Sequence, residues 1–367
     1  MPPTYSAPPP TTPPVSSGVD LAELADQIRS WGRELGFQQV GIADIALDED
    51  ETHLLDWLSQ GRHGEMGYMQ RHGTQRSRPG ELLPGTARVI SVRMDYWPPD
   101  CRAAEPVLAD PTMAYLSRYA LGRDYHKVLR KRLQRLAERI EAVVGPHIYR
   151  AFTDSAPVLE KALARNAGLG WIGKHTNLIS DRAGSWFFLG ELYTSLPLPL
   201  DTPSENHCGT CRTCIDACPS GAIVAPYQLD ARLCISYLTI ELRDAIPEAL
   251  RPLIGNRIYG CDDCQLVCPW NRFARPSQEA DFAVRHALDA TTLVDLFSWS
   301  ETEFRARLQG NPVYRIGYAC WLRNIAVALG NAPTSPEVVA ALKARRNDSP
   351  ELVREHVAWA LAQHGAG

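Results

Sequence analysis

A chain of 367 residues, 45% hydrophobic and 22% charged, has the composition of an ordinary globular protein with room for two or three domains. It contains no run of about 18 apolar residues, which excludes a membrane-spanning helix. The net charge of −4 argues against nucleic acid as a partner, but its distribution does not. Residues 1–60 hold ten acids against two arginines, whereas Met113–Arg150 hold nine Lys/Arg against three acids.

The first segment, residues 1–17, packs seven prolines into its first fifteen positions and reads as a disordered tail. With no Lys or Arg before Arg29 and no apolar core, it lacks the marks of an export signal, so a cytoplasmic protein is expected. Asp20 then caps a helix carrying Leu21, Leu24, Ala25, Ile28, Trp31 and Leu35, which Gly36 ends. Gln39–Asp44 reads as a strand, Leu54–Leu58 as part of a second helix, and Ala87–Met94 as another strand. Asp124 opens the clearest helix, with Tyr125, Val128, Leu129, Leu133, Leu136, Ile140 and Val144 on one stripe. Its other faces bear Lys127, Arg130, Lys131, Arg132, Arg135 and Arg139, a solvated basic surface or one whose counter-charge is phosphate. Ile148–Phe152 is strand-like and leads to Asp154. Pro157 starts a helix running to Ala167, and Trp186–Tyr193 forms a strand. This alternation predicts an α+β protein, with an α/β domain over 18–200 bounded by Pro197 and Pro199.

Eight of the ten cysteines fall between Cys208 and Cys268. Cys208, Cys211, Cys214 and Cys218-Pro219 form the C-x2-C-x2-C-x3-C-P run of two-cluster ferredoxins, whose fourth cysteine ligates the other cluster. Cys261, Cys264 and Cys268-Pro269 form a second run lacking its first step. Crossing the fourth cysteines gives one 4Fe-4S set of Cys208, Cys211, Cys214 and Cys268. The other is Cys218, Cys261, Cys264 and the remaining Cys234. Four close thiolates also suit zinc, but zinc ribbons use separated pairs without Cys-Pro endings. Cys101 and Cys320 read as ordinary thiols. The two-cluster segment spans 201–276, and 277–367 is helical throughout. From Tyr314 onwards, helices around Ile316–Leu329, Val338–Leu342 and Val353–Leu361 read as HEAT-like repeats, which present faces to macromolecules.

Arg118–His126, Phe152-Thr-Asp154-Ser155, Gly170-Trp-Ile-Gly-Lys174 and Gly255–Cys264 together resemble the epoxyqueuosine reductase family, from about residue 20 to the end. The resemblance implies a nitroreductase- and reductive-dehalogenase-like N-terminal domain that holds cobalamin, resting as cob(II)alamin. Two clusters and an external electron donor would feed it, with the Cys208 cluster nearest the corrin. It further implies a monomer that reduces the epoxide of epoxyqueuosine, at wobble position 34 of tRNAs with a GUN anticodon, to queuosine. Asp154 would be the proton donor, its pKa raised by burial, and Ser155 the cap of the following helix. Arg76, Ser117, Asp154, Lys174, Leu178, Leu189, Ser236 and Asp262 match the cobalamin pocket. Arg243, Arg257, Arg315, Arg323, Lys343, Arg345 and Arg346 are the tRNA-contact candidates. The corrinoid signature D-x-H-x-x-G is absent at Asp124–His126, so no histidine ligand to cobalt is expected there. A corrinoid reductive dehalogenase and a plain iron–sulfur electron carrier are the rival readings. Paired arginines near the N-terminus, expected of the former, are missing. The latter leaves the N-terminal domain without a task.

Overall fold

The computed structural model describes residues 18–348 and 350–366, so the Pro-rich tail lies outside the described residues. Four strands form the central sheet: β1 (Gln39–Ala43), β2 (Arg88–Asp95), β3 (Tyr149–Phe152) and β4 (Phe187–Thr194), in the order β1-β2-β4-β3. Every neighbouring pair is antiparallel. The α/β expectation for this domain therefore gives way to α+β, because no two neighbouring strands of the sheet are parallel.

Strand alternation sends Ile90, Val92 and Leu192 to one face, where helices Leu21–Glu34 and Tyr125–Val144 bury Leu24, Ile28, Leu129, Leu133 and Leu136. Val89, Phe152 and Tyr193 point the other way, against Leu163 of helix Glu160–Asn166. Asp20 caps the first helix by accepting from the amides of Ala22 and Glu23. The basic helix finds part of its counter-charge inside the chain: Arg139 pairs with Glu34 at 2.6 Å and Arg132 with Glu279, while Lys127, Lys131 and Arg135 stay exposed.

The helix predicted from Pro157 starts instead at Glu160. Its N-cap is Leu159, with no side-chain cap bond, so Ser155 is not a cap. Ser155 Oγ accepts from Arg130 Nη2 at 3.3 Å.

The C-terminal helices Leu293–Ser298, Glu301–Leu308, Gly317–Asn331, Pro336–Ala344 and Glu351–Gln363 do not form a separate core. Leu322, Ile325, Leu329 and Val357 pack in one cluster with Leu116 and Leu121 of the N-terminal region and Ile258 and Tyr259 of the cysteine-rich segment. A parallel pairing of Arg257–Tyr259 with Tyr115–Leu116 sews these regions together. Helix Gly317–Asn331 drives through the junction. Arg323 is fully buried and donates to the carbonyls of Leu238, Leu242 and Asp244, while Asn324 donates to those of Thr239 and Ile258.

Arg323 is thereby removed from the RNA-contact candidates, because no part of it reaches the surface. Truncation to Ala strands three carbonyl acceptors. Arg323→Ala is expected to cost about 3 kcal/mol, read as a lower thermal unfolding midpoint, with RNA-stem-loop affinity of the folded protein unchanged.

Candidate active site

The eight clustered cysteines sort by mutual electrostatics. Burial, and then the charges of Cys268, Cys208 and Cys211, push the Cys214 thiol up to about 11. Burial and then Cys234, Asp262 and Cys218 push Cys264 well up, and Cys234 in turn feels Cys218. Burial and then Asp263 raise Cys261, which also feels Cys234. Eight cysteines gathered at this spacing, Cys214 and Cys268 buried among them, make a donor set that suits iron–sulfur ligation. Cys208 and Cys268 pack against Trp171 and Trp270, and Cys211 is exposed. Cys234 and Cys261 pack against the cluster of Ile235, Leu238 and Ile254. Cys101 and Cys320 stand apart, Cys320 in the C-terminal core.

A cleft of about 430 Å³ separates this region from the sheet domain. Cys218, Cys234, Cys261 and Cys264 line one end, so the Cys218 set, not the Cys208 set, borders it. Asp154, Glu160 and Lys161 also line it. Asp262 stands between Cys261 and Cys264, 1% exposed, and accepts from Tyr115 Oη at 2.8 Å, Ser117 Oγ at 2.6 Å and the Arg118 amide at 2.8 Å.

Asp154 sits just past β3 with a φ of 53°, a left-handed backbone that non-glycine residues seldom adopt and that functional loops tolerate. Its side chain is 46% exposed towards the cleft. Oδ2 accepts from Tyr125 Oη at 2.8 Å and lies 3.0 Å from His126 Nε2. His126 Nδ1 lies 2.5 Å from Asp124. The carboxylate makes no bond to a helix N-terminus, which disposes of a capping role. Burial raises the Asp154 carboxyl, but the bonds from His126 and Tyr125 outweigh it and hold the group below its usual range. The expected upward shift is thus reversed, since sequence reading placed no cation beside the acid. Burial also opposes charge on His126, yet its two carboxylate partners lift it to about 9.

Glu160, which the sequence reading passed over as a helix residue, accepts from the Asp154 backbone amide. Burial and then Asp154 raise it to about 7. Glu191 on β4 is fully buried beneath, raised by burial and then by Glu160. A lone carboxylate in the apolar run Trp186–Tyr193 was a signal for it.

Of the eight positions matched to a cobalamin pocket, Ser117, Asp154, Leu178, Leu189, Ser236 and Asp262 line the cleft. Lys174 instead donates to the carbonyls of Gly209 at 2.7 Å and Cys211 at 2.8 Å, tying down the Cys208 loop. Arg76 is buried beside the cleft, bonded to the Tyr68 carbonyl, with Nε unpartnered. The cleft has the mixed walls a corrinoid requires: Leu178, Leu189, Phe187 and Phe188 against Ser117 and Ser236. His175 adds an orphaned donor, because Nδ1 accepts from the Asn177 amide and buried Nε2 finds no partner. His126 is committed to two carboxylates and is no metal ligand.

Among the RNA-contact candidates, Arg257 is held by Asp263 through two bonds, and Arg345 by Asp348 and the carbonyls of Phe297 and Trp299. Both are structural, their guanidinium donors already taken by groups within the chain. Arg243, Arg315, Lys343 and Arg346 are exposed. Arg315 feels Tyr259, Tyr125, Tyr119 and Asp154, which places it over the cleft.

Comparison with known proteins agrees with this layout. The epoxyqueuosine reductase QueG family model matches residues 76–155, and a 4Fe-4S double cluster binding domain matches 207–271. An epoxyqueuosine reductase of Pseudomonas aeruginosa is 64% identical over 94% of this chain and 96% of its own. The chain belongs to the epoxyqueuosine reductase family. The family's Escherichia coli member is 56% identical over 95% of this chain and 92% of its own. A solved family member, described as bound to an epoxyqueuosine-modified tRNA stem loop, superposes with a TM-score of 0.87 at 27% identity, covering 94% of this chain and 91% of that one.

Two outcomes follow from this geometry. Replacing Cys268 with alanine should remove about four of about eight irons and spare the cleft-side set; an unchanged iron count would refute the pairing. The folded value of His126, about 9, exceeds the ordinary 6.5, so its protonation stabilises the fold fully below pH 6.5 and is lost as pH rises through 9. The melting midpoint of the wild type should therefore fall more between those values than that of His126→Gln.

Proposed function

We infer that this chain reduces epoxyqueuosine to queuosine at the wobble position of tRNA, drawing electrons through two 4Fe-4S clusters and using cobalamin. One observation carries this reading. In a chain of this family, a thiolate set and a hydrogen-bonded acid face each other across one cleft. When bound, cobalamin supplies a strongly reducing and nucleophilic cobalt centre for the epoxide.

The protein's share is protonation, orientation and insulation. Opening an epoxide places negative charge on its oxygen, and an acid at hydrogen-bond distance lowers that barrier. Here the proton lies between His126 Nε2 and Asp154 Oδ2, with Asp124 steadying the imidazolium and Tyr125 fixing the carboxylate rotamer. The pair keeps a proton available up to about pH 9 without requiring a neutral Asp154. Ser117, Leu178, Leu189, Ser236 and Asp262 would hold the cofactor. Exposed Cys211 marks the Cys208 set as the entry for electrons from an external donor, and the Cys218 set as the delivery point. The C-terminal helices act as a HEAT-like RNA platform, with exposed Arg315, Lys343 and Arg346 on it and exposed Arg243, bonded to the Ile316 carbonyl, beside it. No helix among the described residues is long and apolar enough to cross a membrane.

A plain electron carrier has no use for a strained, hydrogen-bonded acid at the cleft. The decisive experiment is anaerobic incubation of the iron-loaded chain with cobalamin, a strong reductant and an epoxyqueuosine stem-loop, followed by nucleoside mass analysis. Product lighter by one oxygen is expected, formed roughly 10²–10⁴-fold more slowly by Asp154→Ala. No such product from the wild type would sink the assignment, and an unimpaired Asp154→Ala would remove this residue from it.

A further inference from the structure

Reducing an epoxide to an alkene and water consumes two electrons and two protons. The first proton goes to the oxygen as one C–O bond opens, and the second lets that oxygen leave as water when the other C–O bond breaks. The electrons come from the reductant through the clusters. Asp154 and His126 share one proton between them, so a second must be held nearby. This inference rests on the epoxide-reduction reading above.

We propose that Glu160, backed by Glu191, stores the second proton and acts through Asp154. Glu160 lines the same cleft as Asp154. It is pinned by the Asp154 backbone amide, which sets its carboxyl within one residue's reach of the Asp154 carboxylate. Behind it, Glu191 lies opposite Phe152 in the sheet and is 0% exposed. Neither of its oxygens has a donor in the chain when all carboxyls are counted as ionised. A buried carboxylate without donors is untenable, and the remedy at hand is a proton shared with Glu160. Tyr193, two residues along the same strand face, also leaves its hydroxyl unpartnered beside them.

The charges around Glu160 point the same way. Asp154 presses on it as an anion, buried Glu191 eases it as a hydrogen-bond partner, Tyr193 is neutral, and His126, Lys161 and Arg76 supply the cations. Lys161 is occupied with the Thr176 carbonyl at 2.8 Å, and burial disfavours its charge. Glu160 and fully buried Glu191 cannot both ionise at this contact, so one proton stays between them at neutral pH. A proton leaving Glu160 for Asp154 leaves Glu160 as carboxylate and restores Asp154 for the departure of water.

Glu160 acts through Asp154, which makes it a positioning residue, and its test is a pH profile. In single-turnover reduction of an epoxyqueuosine stem-loop by the iron- and cobalamin-loaded chain, the wild-type rate should fall as pH rises through about 7. In Glu160→Gln that limb should vanish and the rate at neutral pH drop roughly tenfold or more. In Glu191→Gln the limb should stay, because the amide can still donate to Glu160. Independently, infrared spectra of the wild type should show a protonated-carboxyl component that disappears through the same pH range, and that component should be missing in Glu160→Gln. An intact limb in Glu160→Gln, or no protonated carboxyl in the wild type near neutrality, overturns the proposal. A wild type that shows the carboxyl band but leaves the stem-loop unchanged sinks the epoxide-reduction reading instead.

Discussion

The Asp262 carboxylate is the rivet of the molecule. Placed between two cluster cysteines and buried to 1%, it collects donors from Tyr115, Ser117 and Arg118 of the N-terminal region. Burial raises its pKa, and those three bonds are what make a charge tolerable there. Through it, the cysteine loop and the cleft wall are fixed relative to each other. The adjoining parallel strand pair and the shared apolar core then make the junction rigid. Electron delivery over a short, fixed gap needs such a junction more than it needs any individual contact in the cleft.

The two ends of the cleft use buried charge in opposite ways. At the thiolate end, burial and mutual repulsion raise every sulfur whose shift is large, so iron must displace the thiol protons to bind there. At the acid end, repulsion is relieved by protons, held on His126 and among Asp154, Glu160 and Glu191. One wall is built to be filled by iron and the other to hold hydrogen ions, and the reaction needs both.

How much of this was legible in the sequence differs by kind of signal. Cysteine spacing suggested the ligand sets because the spacing within each run is a local feature of the sequence. Helix starts at Asp20 and Asp124 were legible because capping is a local interaction. The antiparallel sheet was not, since strand alternation looks the same whichever neighbour a strand pairs with. The direction of the Asp154 shift was misjudged because its controlling cation, His126, lies 28 positions away in sequence. Arg323 and Arg345 looked like surface charge in a helical tail. Only tertiary packing shows that their donors are spent on backbone carbonyls. Glu160 and Glu191 were readable as oddities, a charged group inside an apolar strand being one, but not as neighbours.

Helix Gly317–Asn331 touches everything: its Arg323 and Asn324 grip both the helix that begins at Cys234 and the strand before Cys261. Any load placed on the C-terminal layer by a bulky polymer is therefore passed, as through a lever with no slack, to the mounts of the metal-bearing loops. The C-terminal layer and the mounts of the cysteine loops thus share one mechanical part.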